Sequence, residues 1–288
     1  MSSEPPPKAI LFDIGGVCVV SPFQAILDYE IENNIPIGYI NFSIQKGPHT
    51  GAWQLIERGE TELNDAWFSA FKAQLSVPAH WEEFWVKTSV KPSAENGAPV
   101  PEVAVDKVPP VPHIDAKKLF WRMMRISREP DPWMYPALKR LKDSGKFVLG
   151  ALSNTVAFPT GILDDEGTLF EKGLIHAPHP NPYCGDDTDI RNVFDSYVSS
   201  AHVGVRKPDA RAYEMAVEEM SKVGREKGVG EIKAEDVLFL DDIGANLKGA
   251  KMAGLKTLKV DLGKTKDAVK ELERLTGMKL MGDERARL

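Results

Sequence analysis

The 288-residue sequence predicts an α/β fold: a parallel sheet with helices between its strands, interrupted by an inserted helical unit. Three observations lead there. Short apolar runs without helical period occur within 8–17, 147–152 and 237–240, each ending in polar or acidic residues: Asp13 before Gly15 and Gly16, Ser153 with Asn154, and Asp241 with Asp242. From 133 onward such runs alternate with helical patterns, the order of a parallel sheet with right-handed crossovers. The first two runs are separated by far more chain than a crossover needs, so the span between them contains the insert.

After residue 17 the pattern turns helical, with candidate helices at 23–33, 53–57, 63–75 and 78–87. Trp53, Trp67, Trp81, Trp85 and Trp121 fall in this region, and the sixth tryptophan, Trp133, follows it. These aromatics suit either the roof of an apolar pocket or the core of a small helical bundle, and the bundle core is the simpler reading. Residues 91–112 change to Pro, Ala, Val, Glu and Lys without period, which predicts a mobile loop. Helical pattern returns at 115–126 and 133–142, and the second strand follows.

Residues 158–192 are rich in Pro, Gly and Asp and read as a surface excursion. His176, His179, Cys184 and Asp186 are all metal-ligand types, but their spacing fits no closed zinc pattern. A third strand is expected at 197–200, then His202 as a structural histidine, then a helix at 209–223 opened by Lys207-Pro208 and followed by a charged loop at 224–233. The fourth strand precedes a helix at 244–253; a fifth strand at 256–260 and an amphipathic helix at 264–275 complete the alternation.

Forty-two acidic against 36 basic residues give a formal charge of -6, which argues against a broad nucleic-acid-binding face. Cys18 and Cys184 are too few for a disulfide framework, and Cys18 lies in an apolar stretch that suits a reduced thiol. The first residues lack the apolar segment of a secretory signal, and no run is long enough to span a membrane, so a cytoplasmic setting is expected. The final Ala286, Arg287 and Leu288 form a conservative variant of the Ser-Lys-Leu address read by a peroxisomal import receptor, which would place the protein in peroxisomes in a eukaryote.

In a parallel sheet the polar ends of the strands share one edge, the place where open α/β sheets bind ligands. Asp13, Asp241 and Asp242 would then meet in one crevice, where unpaired carboxylates repel and are costly to bury. Lys207 and a magnesium ion would balance them and leave a site able to accept an anionic ligand.

Asp13-Ile14-Gly15-Gly16-Val17, Ser153-Asn154, Lys207-Pro208 and Asp241-Asp242 occur in the order and contexts of the four motifs of the haloacid dehalogenase (HAD) superfamily. The stretches 204–209 and 239–248 resemble in particular its phosphatase-like branch, as in the amino-terminal domain of soluble epoxide hydrolase. The resemblance covers 8–20 and 133–262, and the insert fits it by position only. It implies a Rossmann-like HAD core formed by 1–17 and 130–288 and a helical cap formed by 18–129. It also implies that Asp13 is the nucleophile, that Asp13, the Gly15 carbonyl and Asp242 hold magnesium, and that Ser153, Asn154 and Lys207 bind the phosphoryl group. Asp241 would orient Lys207 or a metal-bound water, with Asn246 in support, and the substrate would be a small phosphorylated metabolite.

One position departs from the pattern. The superfamily's phosphatases carry a second Asp two residues after the nucleophile, as acid and base, and here that residue is Gly15. A glycine carbonyl can approach a metal but cannot move a proton, and a positioned acid-base group contributes about 10²–10⁴ in rate. The residues therefore admit a slow or leaving-group-selective phosphatase, a catalytically silent phosphate- or ligand-binding relative, or a dehalogenase. The Asp241-Asp242 pair, which calls for a metal, weighs against the last.

Overall fold

The computed structural model describes residues 5–88, 90–92, 99–101, 108–177 and 182–282. Its main sheet has five parallel strands: β1 (Ala9–Phe12), β4 (Val148–Ser153), β5 (Ser196–Ser199), β6 (Val237–Asp241) and β7 (Lys256–Lys259), in the order β5-β4-β1-β6-β7. Every residue of β1, β4 and β6 is buried, as expected for uninterrupted apolar runs at the centre of a parallel sheet.

Alternate strand residues face opposite helical layers. Ile10, Phe12, Leu149 and Leu240 pack with Leu138 and Leu141 of α7 (Met134–Ser144) and with Val269 and Leu272 of α11 (Thr265–Thr276). Leu11, Leu152 and Phe239 face Tyr213, Ala216 and Met220 of α9 (Ala210–Glu226) and Leu247 of α10 (Gly244–Met252). A four-residue helix, α8 (Ser200–Val203), follows β5 directly, so Ser200 begins a helix where the sequence suggested the end of a strand. α9 runs on through the first residues of the expected charged loop.

The insert leaves and rejoins the core at adjacent points: Val20 N donates to Glu129 O at 2.8 Å and Asp131 N to Cys18 O at 3.0 Å. It contains α1 (Pro22–Glu32), α2 (Tyr39–Lys46), α3 (Ala52–Glu57), α4 (Asp65–Leu75), α5 (Pro78–Thr88) and α6 (Ala116–Ile126). Local caps start several of these helices: Ser21 accepts from Phe23 N, Asn64 from Trp67 N and Asp115 from Lys118 N. Trp67 stacks on Phe71 at 5.0 Å and 19°, and both pack with Phe68, Phe120 and Trp121, so these aromatics form a bundle core. Within the region expected to be a mobile loop, β2 (Val90–Pro92) pairs antiparallel with β3 (Pro99–Pro101); 93–98 and 102–107 lie outside the described residues.

The excursion after β4 belongs partly to the insert. Val156, Phe158, Ile162 and Phe170 pack against the helical core, with Phe170 5.2 Å from Trp121. Arg125 of α6 binds Asp165 at 2.6 Å and Asp164 at 3.1 Å. Farther along, Asp186 accepts from the Tyr135 hydroxyl at 2.6 Å and His176 lies against the Tyr135 ring, while Cys184 is exposed and His179 lies outside the described residues. Ala286, Arg287 and Leu288 also lie outside them. Both cysteines are free thiols. No described helix is long and apolar enough to cross a membrane.

Candidate active site

β1 and β6 pair with Phe12 opposite Leu240, so the next residue of each, Asp13 and Asp241, emerges at the same point on the carboxyl edge of the sheet. Asp13 is tied there by its own backbone, its N donating to Leu240 O at 2.8 Å, while its Oδ1 accepts from Ile14 N at 2.7 Å. Lys207 enters from the segment between α8 and α9. Its Nζ lies 2.8 Å from Asp13 Oδ1 and 2.7 Å from Asp241 Oδ2, and the side chain is 1% exposed.

Asp241 is fully used by the protein. Besides Lys207, it accepts from Ile243 N at 2.7 Å and from Asn246 Nδ2 at 3.1 Å to each oxygen. Asn154 clamps Lys207 by its main chain: Asn154 Nδ2 donates to Lys207 O at 3.1 Å and Lys207 N donates to Asn154 Oδ1 at 2.8 Å. Both ends of the Asn154 amide are thus engaged on Lys207, so the residue expected to bind phosphoryl oxygens acts here by holding the lysine. Ser153 is buried at the end of β4, on the cavity wall.

Asp242 differs from its neighbour. Its Oδ1 is buried without a hydrogen-bond partner, and together with Asp13 and Asp241 it offers carboxylate oxygens within 4.8 Å of one another, the acidic cluster among the described residues. Gly16 makes room for it: with φ of +79°, a Cβ there would sit 2.6 Å from Asp242 Oδ2.

Burial pushes the Asp13 carboxyl up to about 7; Lys207 opposes that shift, and the charges of Asp241 and Asp242 reinforce it. Burial and then Asp241 raise Asp242 to about 6. Burial alone would lower Lys207, yet the charges of Asp13 and Asp241 outweigh it and hold the ammonium above its usual range. Three carboxylates against one ammonium leave an excess of two negative charges in a largely buried site. A single divalent cation matches that excess, and the orphaned Asp242 oxygen beside Asp13 is the donor set it requires.

A cavity of about 960 Å³ opens over the edge. Asp13, Gly15, Ser153, Asn154, Lys207, Asp242 and Asn246 line its floor, while Asp241 supports Lys207 from outside the lining. Phe23, Trp53, Met123, Met124, Phe158 and Phe170 supply its apolar walls.

Residues 7–254 match the family model described as haloacid dehalogenase-like hydrolase. The chain belongs to that family. Among curated relatives, acyl-CoA dehydrogenase family member 10 of Mus musculus is 26% identical over 273 residues, covering 95% of this chain and 19% of the relative. Bifunctional epoxide hydrolase 2 of Sus scrofa is 24% identical over 277 residues, covering 95% of this chain and 40% of the relative. The chain therefore spans well under half the length of either. A HAD-family enzyme of Bacteroides thetaiotaomicron, solved with magnesium and inorganic phosphate, is 18% identical with a TM-score of 0.45, covering 89% of this chain and 96% of that one.

Several residues of this haloacid dehalogenase-like chain reach the cavity without having been legible as site residues. Arg206 Nη2 approaches Glu57 Oε2 of α3 at 3.0 Å, joining core to insert. Burial raises the Tyr197 phenol, and the nearby Asp13 charge adds to the effect. His202 Nδ1 lies 2.8 Å from Ser199 Oγ, which lies 2.5 Å from Thr155 Oγ1, so His202 is tied into the strand ends. A lone Glu in a helix, an Arg before the lysine and a Tyr in a strand carry no spacing signal; only their convergence on one cavity marks them.

Proposed function

We propose that this HAD-like hydrolase is a magnesium-dependent phosphatase that removes the phosphoryl group of a small phosphorylated metabolite through an aspartyl phosphate on Asp13. The observation that carries the reading is Lys207 Nζ bridging Asp13 and Asp241 beside an unpartnered Asp242 oxygen. Asp13 and Asp242, with the Gly15 carbonyl, are the residues to hold magnesium, which when bound would neutralise phosphoryl charge and help align the phosphorus with the nucleophile. Lys207 favours the Asp13 carboxylate against the larger effect of burial and faces the incoming phosphoryl oxygens. Asn154 and Asp241 fix Lys207 from its backbone and its ammonium, and Asn246 holds Asp241. Ser153 is placed to donate to a phosphoryl oxygen. The helical insert serves as the cap, excluding water and receiving the organic part of the substrate against Trp53, Met123 and Phe158.

Gly15 supports a second reading, a catalytically silent phosphate-binding relative, because no carboxylate stands two residues after the nucleophile. A dehalogenase fits less well, since the Asp242 Oδ1 would then be buried with neither cation nor donor. Assaying purified protein with magnesium on aryl and alkyl phosphates separates these readings. Turnover that Asp13→Asn removes supports the phosphatase; turnover no higher than that variant's on every ester leaves the silent binder.

A further inference from the structure

Hydrolysis by the route above leaves one proton unassigned. As Asp13 takes the phosphoryl group, the P–O bond to the alcohol breaks with its electron pair on the alcohol oxygen, and an alkoxide is a poor leaving group unless protonated. Gly15 offers no proton. Of the carboxyl groups on the cavity wall other than Glu57, Asp13 and Asp242 have roles already and Asp189 is taken by Arg191 at 2.9 and 3.0 Å; Lys207 is held charged between two carboxylates, and burial pushes the Tyr197 phenol up. His202 is exposed at the margin.

Glu57 stands apart. It is buried at the end of α3 yet lines the cavity with Asp13, and its Oε2 receives no hydrogen bond even though Arg206 Nη2 lies 3.0 Å away. Arg206 Nε is likewise buried without a partner, so two polar atoms of the pair remain for something in the cavity. The placement is rigid: two residues on, Gly59 has φ of +67° and lies so close to α8 that a Cβ would sit 2.0 Å from Ala201 O.

We propose that Glu57, carried by the cap, is the general acid and base that Gly15 does not provide. The inference rests on the phosphatase reading. In the first half-reaction the Glu57 O–H bond breaks as the alcohol O–H forms, leaving a carboxylate beside the Arg206 guanidinium. In the second, that carboxylate takes a proton from the water that attacks phosphorus, the Asp13–phosphorus bond breaks with its electrons returning to Asp13, and inorganic phosphate leaves. One water is consumed and Glu57 ends protonated, as it began. Burial raises the Glu57 carboxyl above its ordinary range; the Arg206, Lys207 and Arg58 cations and the Trp53 side chain, which face it, act in the opposite sense and favour the carboxylate.

The test measures leaving-group release in the first turnover with magnesium, from para-nitrophenyl phosphate and from n-butyl phosphate, for wild type, Glu57→Gln and Glu57→Asp. Glu57→Gln should slow butanol release by about 10²-fold or more, nitrophenol release by less than about threefold, and remove the alkaline fall of the butyl-ester pH profile, with partial rescue by Glu57→Asp. Equal losses on both esters, or none on either, overturn the proposal, since a residue that only held Arg206 would not distinguish leaving groups. The wild type tests it independently of variant folding: a steep fall in rate with rising leaving-group basicity shows that no acid is present and also overturns it. Wild-type release no faster than that of Asp13→Asn on either ester removes the phosphatase reading itself, an outcome distinct from all of these.

Discussion

The sheet edge and the cap both face the cavity, yet they are built by different rules. At the edge every site carboxylate and the Ser153-Asn154 pair sits at or just past the end of a strand: Asp13 by β1, Ser153 and Asn154 by β4, Asp241 and Asp242 by β6. In the cap the placement is remote in sequence. α2 is preceded by Gly38, which has no side chain to cap it, and the buried Glu30 of α1 accepts instead from Gly38 N at 2.7 Å and Ile40 N at 2.8 Å. A short peptide can announce an edge of the first kind, whereas the second exists only once the helices are packed.

The largest test of that contrast is at the edge. Asp13→Asn should lower magnesium-dependent phosphatase turnover by at least about 10³-fold with the fold intact, and turnover within tenfold of wild type would show that the nucleophile lies elsewhere. Lys207→Met should cost about 3–5 kcal/mol in denaturant unfolding, because it leaves Asp13 and Asp241 facing each other without a cation. In the cap, Phe71→Ala should cost a similar 3–5 kcal/mol or so through the cavity left beneath Trp67, with the magnesium affinity of the edge retained. Loss of magnesium binding in Phe71→Ala would show that edge and cap are energetically one unit.

A pH test sharpens the comparison further. Asp13 and Asp242 sit at about 7 and about 6 instead of the usual 3.8, so between those values the folded protein holds more protons than the unfolded chain. Their contribution to stability is complete below 3.8 and is lost as the pH rises through about 6 and 7. Magnesium opposes that loss, so the gain in melting temperature on adding it should be larger at about pH 8 than at about pH 5. An equal gain at both would mean that these carboxylates do not hold the ion. The smallest effect is expected from Gly15→Asp, which should raise alkyl phosphate turnover by less than about tenfold if the cap already supplies the acid. Its Cβ would lie 3.2 Å from Pro22 Cδ, so the start of α1 must yield slightly. A hundredfold rise would return the acid role to the edge.

The same contrast explains what the sequence made legible. Asp13, Lys207, Asp241 and Asp242 follow apolar runs or sit beside a proline, and the parallel sheet was enough to bring them together. The alternation from 133 onward foretold the strands, most plainly β4 and β6, every residue of which is buried. α2 escaped notice because its start depends on Glu30, and its sequence, bounded by Gly38 and Gly47, has no strong local signal. Asn154 was legible as a site residue, but its attachment to the Lys207 backbone was not, since nothing near 154 in the chain points to 207. Glu57 was invisible for a related reason: its importance is a void on one side and Arg206 on the other.

The excursion after β4 has a mechanical consequence. The cap meets the core at two neighbouring crossings near Cys18 and Glu129, and a body joined only there could swing about them like a door. Phe158 and Phe170 in the helical core, and Arg125 gripping Asp164 and Asp165, add a third attachment away from that axis. Arg206 meeting Glu57 at 3.0 Å adds a further one, so the insert is held to the core by more than its two chain crossings. Swinging the insert away from the cavity would therefore require these side-chain contacts to part, and not only the two chain crossings to bend.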